Sequence, residues 1–83
     1  MYRLVISPRA LRQLKNIKQI HKRAVKLALE DIKEDPEIGK NLTGELTGRF
    51  SYRVGVYRII YKVNARDKSV SILIADHRST VYK

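Results

Sequence analysis

The apolar residues of this chain change their spacing once along the sequence. Between residues 8 and 35 they recur every three or four positions, as expected for one face of an amphipathic helix. After Gly48 they occupy every second position, which is the period of a strand with one buried side. Pro36 disfavours helical dihedrals at the residue before it and marks the end of the helical part. A chain with this order of periods can pack helices against a sheet, and we therefore predict an α+β fold.

The helical part is predicted to be a hairpin of two helices, or one bent helix, over residues 8–35. A short segment rich in β-branched and aromatic residues at positions 2–6 precedes it and is expected to form the first strand. Ser7 and Pro8 follow as the N-cap and first-turn pair that is typical of a helix start. A break near residues 16–19 would let the two apolar series face one core.

Three consecutive strands are predicted after Gly48. Residues 50–54 and 57–63 alternate between apolar and polar side chains on either side of Gly55, and residues 70–75 form the last strand. Short connections favour antiparallel pairing of these strands. The predicted order is β-α-α-β-β-β, with two N-terminal helices packed on one face of a small, mostly antiparallel four-stranded sheet.

The segment from Gly39 to Gly48 is expected to be a connecting loop, because it contains three glycines and no regular period. Residues 1–83 are predicted to form a single domain, since a chain of this length can bury only one modest core.

Several classes of protein are excluded by composition. The chain has no cysteine and only two isolated histidines, so we expect no disulfide, no metal site and no cofactor. No apolar run approaches the ~20 residues that a membrane helix needs, and we expect a cytoplasmic protein.

Positive charge is concentrated in the first third of the chain. The sequence carries 18 Lys and Arg against 8 Asp and Glu, which gives a net charge of +10. Eight of those basic side chains and no acidic one lie in residues 1–29. A field of this sign attracts a polyanion such as nucleic acid, or an acidic protein partner.

Three arginines are predicted to lie on the open face, by which we mean the side of the sheet that the helices do not cover. If the apolar residues of the middle strands face the helices, alternation places Arg49, Arg53 and Arg58 on the other side. Guanidinium groups on neighbouring strands can converge on one phosphate, which they bind through paired hydrogen bonds. The open face is therefore the predicted phosphate-binding surface.

Side chains that could transfer a proton follow the last predicted strand. Alternation from Ile72 and Ile74, which are expected to face the helices, places His77 on the open face. Histidine readily gives and takes a proton at neutral pH, so His77 is a candidate acid or base. Tyr82 could stack on a base or donate its phenolic proton. His21, on the basic helix, is expected to have no functional role.

Three parts of the chain resemble the RelE family of toxin–antitoxin toxins. They are LTGELTG at residues 42–48, YRVGVYRIIY at residues 52–61, and the pairs His77-Arg78 and Val81-Tyr82. The resemblance spans the whole chain and implies the family fold, a β-α-α-β-β-β domain. It also implies an endoribonuclease that cleaves messenger RNA in the ribosomal A site, without metal, by attack of a ribose 2′-OH on the adjacent phosphate.

The resemblance assigns roles to individual residues. Arg58 matches the arginine that contacts the phosphate, and Arg49 and Arg53 match basic positions of the preceding strand. Tyr82 matches the C-terminal tyrosine that stacks on the scissile nucleotide or protonates near it.

Two positions depart from the family pattern. Ser51 stands where the best-known member has a lysine, and Asp76 stands where that member has an arginine. These replacements remove two cations from the expected site. Because arginine is a poor proton carrier, we expect His77 to act as the acid or base and Arg78 to act as a second phosphate ligand.

The family also implies partners. They are a cognate antitoxin, the ribosome with its messenger RNA, and operator DNA only through the toxin–antitoxin complex, with no membrane.

Two alternatives remain open from the sequence: a ParE-like poison of topoisomerase (gyrase) without nuclease activity, and a non-catalytic relative that binds its antitoxin. Tyr82 and the pair His77-Arg78 favour the ribonuclease, whereas Ser51 and Asp76 favour the poison.

Overall fold

Two helices and five strands make up residues 2–77, the part of the chain that the computed structural model describes. In chain order they are β1 (Arg3–Ile6), α1 (Pro8–Lys15), α2 (Gln19–Glu34), β2 (Lys40–Asn41), β3 (Arg49–Val54), β4 (Tyr57–Asn64) and β5 (Ser69–His77), with a 3-10 turn at Gly44–Leu46. The predicted α+β class is confirmed, with one strand more than the four predicted. Among these residues, neither helix is long and apolar enough to cross a membrane.

The strands lie in the order β1-β5-β4-β3-β2. β1 runs parallel to β5 and every other neighbouring pair is antiparallel, so the sheet is mostly antiparallel as predicted. The additional strand is β2, in which Lys40 lies opposite Ser51 and Asn41 lies opposite Phe50. The expectation that this segment is only a loop is wrong, because a strand of two residues is too short to show a period in sequence.

The predicted helical hairpin is confirmed, with its break between Lys15 and Gln19. The Ser7 hydroxyl caps α1, since its oxygen accepts from the backbone N–H of Ala10 at 3.0 Å. The same hydroxyl donates to the carbonyl of Leu73 in β5 at 3.1 Å. The start of α1 is therefore fixed to the sheet as well as to its own first turn.

The core lies between the helices and one face of the sheet. From the helices it contains Ala10, Ile17, Val25, Ala28 and Ile32, and from the sheet Ile59, Tyr61, Val70, Ile72 and Ala75. All ten are buried, with at most 6% of their surface exposed. This packing leaves the other face of the sheet open, as alternation predicts.

Tyr61 of β4 connects the end of α2 to the start of β2. Its buried phenol donates to the carbonyl of Pro36 at 2.8 Å and accepts from the backbone N–H of Gly39 at 3.0 Å. A Cβ atom on Gly39 would lie 2.6 Å from the phenolic oxygen, so the chain passes too close for any other residue. Burial raises the pKa of this phenol above its ordinary value of 10.0.

A β-bulge in β5 changes which side chains face the helices. Ile60 lies opposite Ile74 and Tyr61 lies opposite Ile72, so Leu73 is an extra residue in β5. After Leu73 the alternation of side chains is reversed, so Ala75 rather than Ile74 faces the helices and lies in the core. The expectation that Ile74 faces the helices is therefore wrong.

Candidate nucleic-acid interface

Arg53 and Arg58 lie directly opposite each other on the open face, in the hairpin of β3 and β4. Gly55 and Val56 form the turn, and Gly55 has a φ of +59°, as the first turn residue of a type II′ hairpin requires. This short turn fixes the register that brings the two arginines together. Like charges directly opposite each other destabilise a strand pair by up to about 1 kcal/mol, so packing alone does not account for them.

Asp76 extends this row, because it lies opposite Arg58 on the other side of β4. Gln13 of α1 orients the carboxylate: its Nε2 donates to Oδ2 of Asp76 at 3.3 Å, and its Oε1 accepts from the backbone N–H of Ala75 at 2.9 Å. Oδ1 of Asp76 accepts from the backbone N–H of His77 at 2.8 Å. The row thus contains two cations and one carboxylate that a helix side chain holds in place.

A second row of open-face residues crosses the sheet two positions along the strands from the arginines. It consists of Lys40 in β2, Ser51 in β3 and Ile60 in β4. Lys40 is exposed, whereas Ser51 and Ile60 are 7% and 2% exposed. The lysine is therefore the member of this row that can reach a ligand in solvent.

The two rows border a cavity of about 370 Å³, which we call the cation pocket. Its lining residues are Ile38, Gly39, Lys40, Ser51, Tyr52, Arg53 and Arg58. Three of these side chains are cations, one is an aliphatic hydroxyl, and none is acidic. Small-ligand sites span about 300–1,000 Å³, so the cation pocket has the size and charge for a small anionic group.

His77 lies on the helix side of the sheet, and the expectation that it shares the open face with the arginines is wrong. The bulge at Leu73 shifts the alternation, so His77 lies opposite Tyr57 rather than beside Arg58. The ring of His77 contacts Tyr57 edge-on at a centroid distance of 5.9 Å, and His21 of α2 contacts the same tyrosine at 5.2 Å. Both histidines thus pack against one aromatic ring on the face away from the cation pocket.

Of the other predicted site residues, Arg49 is described by the structure and does not line the cation pocket. Arg49 is on the open face opposite Lys62, four residues before Arg53, which is about 13 Å along an extended strand. Arg78 and Tyr82 lie outside the described residues. The structure therefore brings together two of the three strand arginines.

Sequence reasoning missed Lys40 and Gln13. Nothing in the sequence marks Lys40, because its strand is too short to give a pattern. Gln13 carries a usable signal: it is a polar residue three positions after Ala10, on the apolar side of α1, and it is half-buried. A polar side chain in that position requires a buried partner, which β5 provides.

A groove of about 290 Å³ lies on the opposite side of the molecule, between the two helices. Its apolar lining residues are Leu14, Ile17, Val25 and Leu29, and its cations are Lys15, Lys22 and Lys26. We call it the helix groove. An apolar groove with only positive charges around it suits an amphipathic segment that carries acidic residues.

Residues 2–77 contain no group of three or more His, Cys, Asp or Glu side chains placed to hold a metal ion. The side chains that line the cation pocket offer cations and hydroxyl groups to a ligand.

Comparison with known proteins identifies related chains. Residues 4–82 match the family described as the ParE toxin of type II toxin–antitoxin systems. Toxin RelG of Mycobacterium tuberculosis is 40% identical over 60 residues, which cover 71% of this chain and 69% of that protein.

Solved structures also match the fold. The toxin–antitoxin complex RelBE2 of Mycobacterium tuberculosis contains a chain that is 35% identical, with a TM-score of 0.83, covering 93% of this chain and 98% of that one. The archaeal RelE–RelB complex of Pyrococcus horikoshii contains a chain that is 29% identical, with a TM-score of 0.74, covering 95% and 97%.

Proposed function

The chain belongs to the RelE/ParE superfamily, the toxins of type II toxin–antitoxin systems, and we propose that it is a ribosome-dependent endoribonuclease that cleaves messenger RNA without a metal ion. The observation that carries this proposal is the pairing of Arg53 with Arg58 at the cation pocket. Two guanidinium groups on adjacent strands suit a phosphodiester, because each can donate two hydrogen bonds to phosphate oxygens.

The proposed reaction is attack of a ribose 2′ oxygen on the adjacent phosphorus. The new bond joins that oxygen to phosphorus, the bond to the 5′ oxygen of the next nucleotide breaks, and the product ends in a cyclic phosphate. One proton leaves the 2′-OH and one reaches the departing 5′ oxygen. Negative charge grows on the phosphoryl oxygens in the transition state, and Arg53 and Arg58 stabilise it.

Proton transfer in this proposal does not use the described histidines, because His21 and His77 both pack on the helix side of the sheet. Tyr82, at the position of the family's C-terminal tyrosine, remains our candidate for a group near the departing oxygen. Arg78 and Arg49 are proposed as further contacts to the RNA backbone. The ribosome orients the message, and such positioning is worth several kcal/mol of the barrier.

The test is a cell-free translation reaction with purified protein, in which new 5′ ends on the message are mapped with and without assembled ribosomes. We expect cuts in register with codons, on translating ribosomes only, and a loss of roughly a hundredfold or more in Arg58→Ala. Arg66→Gln is the matched control, because it removes one exposed cation from the turn between β4 and β5, outside the cation pocket. An intact message and undiminished translation would contradict the proposal.

A ParE-like topoisomerase poison is the second candidate. The matching family carries the ParE description, and Asp76 opposite Arg58 lowers the positive charge available for a phosphate. If translation is unaffected, a DNA gyrase supercoiling assay decides between this candidate and a relative that only binds its antitoxin.

We further propose that a cognate antitoxin binds the helix groove in the cytoplasm, and that operator DNA is bound only by the toxin–antitoxin complex. The support is the apolar lining of the groove with Lys15, Lys22 and Lys26 around it. Related toxins have been solved in complex with antitoxins. An acidic amphipathic segment would bury apolar side chains on the groove and pair its carboxylates with the lysines.

A further inference from the structure

Lys40 extends from β2 toward the same cavity as the two paired arginines. Its strand partner is Ser51, and Ser51 lies two positions before Arg53 in β3. With strands about 4.8 Å apart and a rise of about 3.3 Å per residue, the Cα atoms of Lys40 and Arg53 are about 8 Å apart. A lysine side chain spans most of that distance, so the three cations can contact one phosphate.

The backbone that carries Lys40 is fixed, although its strand has only two residues. The residue before it, Gly39, donates its N–H to the buried phenol of Tyr61 at 3.0 Å, and Leu42 donates to the carbonyl of Arg49 at 2.9 Å. Hydrogen bonds on both sides of the strand therefore hold the Lys40 side chain on the open face.

The charge around the pocket also favours a role for this lysine. Lys40, Arg53 and Arg58 contribute three positive charges to the lining, and none of the other lining residues is acidic. Ser51 occupies the position where the family resemblance leads us to expect a lysine, and its direct cross-strand neighbour is Lys40. Side chains directly opposite on one face of a sheet have Cβ atoms about 5 Å apart, so one can occupy the space that the other leaves.

We propose that Lys40 is the third phosphate ligand of the RNA site and supplies from β2 the cation that β3 lacks at Ser51. This inference rests on the proposed ribonuclease function and adds a substrate-binding residue to it. Lys40 donates hydrogen bonds to the phosphoryl oxygens together with Arg53 and Arg58. It does not transfer a proton in the reaction.

The first experiment compares cleavage rates in the translating-ribosome assay for Lys40→Gln, Lys40→Arg and Arg66→Gln. Loss of one contact to a phosphate through an exposed cation should lower the rate roughly tenfold in Lys40→Gln. Lys40→Arg should keep most of the activity, because it keeps the charge. Arg66 is exposed in the turn between β4 and β5 and does not line the cation pocket, so Arg66→Gln should cleave like the parent.

A second variant tests whether a cation on β3 can replace the cation on β2. Adding Ser51→Lys to Lys40→Gln returns a cation to the same row of the open face and should recover most of the lost rate. If Lys40→Gln cleaves like the parent while Arg58→Ala does not, the role of Lys40 is wrong and the ribonuclease stands. If the parent does not cleave at all, the ribonuclease itself is wrong.

Binding of RNA that cannot be cleaved gives a readout independent of the reaction. The probe is a short single-stranded 2′-O-methyl RNA, in which the attacking hydroxyl is blocked. Each phosphate contact on a single strand contributes about 0.7 to the slope of log affinity against log salt concentration. We expect Lys40→Gln to reduce the slope by about that amount and Arg66→Gln to leave it unchanged. Equal slopes for parent and Lys40→Gln would overturn the proposal.

Discussion

Replacing Tyr61 by phenylalanine tests how the buried core positions the cation pocket. The substitution keeps the ring and removes the hydroxyl, which bonds to Pro36 at 2.8 Å and to Gly39 at 3.0 Å. Two hydrogen bonds at about 1 kcal/mol each give a loss of about 2 kcal/mol. Because the partners are backbone groups at a buried site, leaving them without the phenol raises the expected loss toward about 4 kcal/mol.

The measurement is urea unfolding of Tyr61→Phe, followed by circular dichroism, with Tyr52→Phe as the matched control. The Tyr52 hydroxyl reaches Asp31 at 3.5 Å in an exposed position, so its removal should change the free energy of unfolding by less than about 0.5 kcal/mol. For a domain of this size a loss of about 2 kcal/mol lowers the melting temperature by about 8–16 °C.

Hydrogen exchange then tests the connection to β2. We expect the backbone amides of β2 and the flanking Leu42 to lose more protection in Tyr61→Phe than the amides of β4 and β5, because the phenol holds Gly39 next to the strand. Equal losses of stability in Tyr61→Phe and Tyr52→Phe would refute the reasoning about the buried hydroxyl. A large loss of stability with unchanged protection of β2 would refute its role in placing Lys40.

Three further predictions follow from the contacts described. The free energy of unfolding should fall as pH rises above 10, because burial raises the pKa of Tyr61 and the folded protein keeps a proton that the unfolded chain releases. Urea unfolding as a function of pH should show a smaller fall in Tyr61→Phe than in the parent. Ser7→Ala should cost about 1–2 kcal/mol in thermal unfolding, since it removes the cap of α1 and the bond to Leu73. His77→Ala should lower the free energy of unfolding by about 1 kcal/mol, because it removes the ring contact with Tyr57. Its cleavage rate should stay near that of the parent, in contrast to Arg58→Ala. A rate loss as large as that of Arg58→Ala would show that His77 takes part in catalysis.

Local signals made much of this fold predictable. The Ser7-Pro8 pair marks the start of α1, and Pro36 marks the end of the helical hairpin. Gly55 between two alternating segments fixes the β3–β4 register, which in turn pairs Arg53 with Arg58. At these three places the residues next to the turn or helix end specify it, and the prediction is confirmed.

The errors arose where the sequence is compatible with two registers. Ile72, Leu73 and Ile74 are consecutive apolar residues, so the strand can bury either side, and alternation alone does not reveal the bulge. The bulge is instead specified by distant partners: Ser7 bonds the Leu73 carbonyl, and Gln13 bonds the Ala75 amide. The misplacement of His77 follows directly from this one inserted residue.

The parallel pairing of β1 with β5 has a consequence for the synthesis of the chain. Ser7 and Leu73, which join the start of α1 to the last strand, are 66 positions apart. β1 therefore has no sheet partner until residues 69–72 have been synthesised. The β3–β4 hairpin, in contrast, is held by contacts between residues that are close in sequence. The pairing of Arg53 with Arg58 therefore depends on contacts that are local in sequence, whereas closure of the sheet beside β5 depends on contacts across 66 positions.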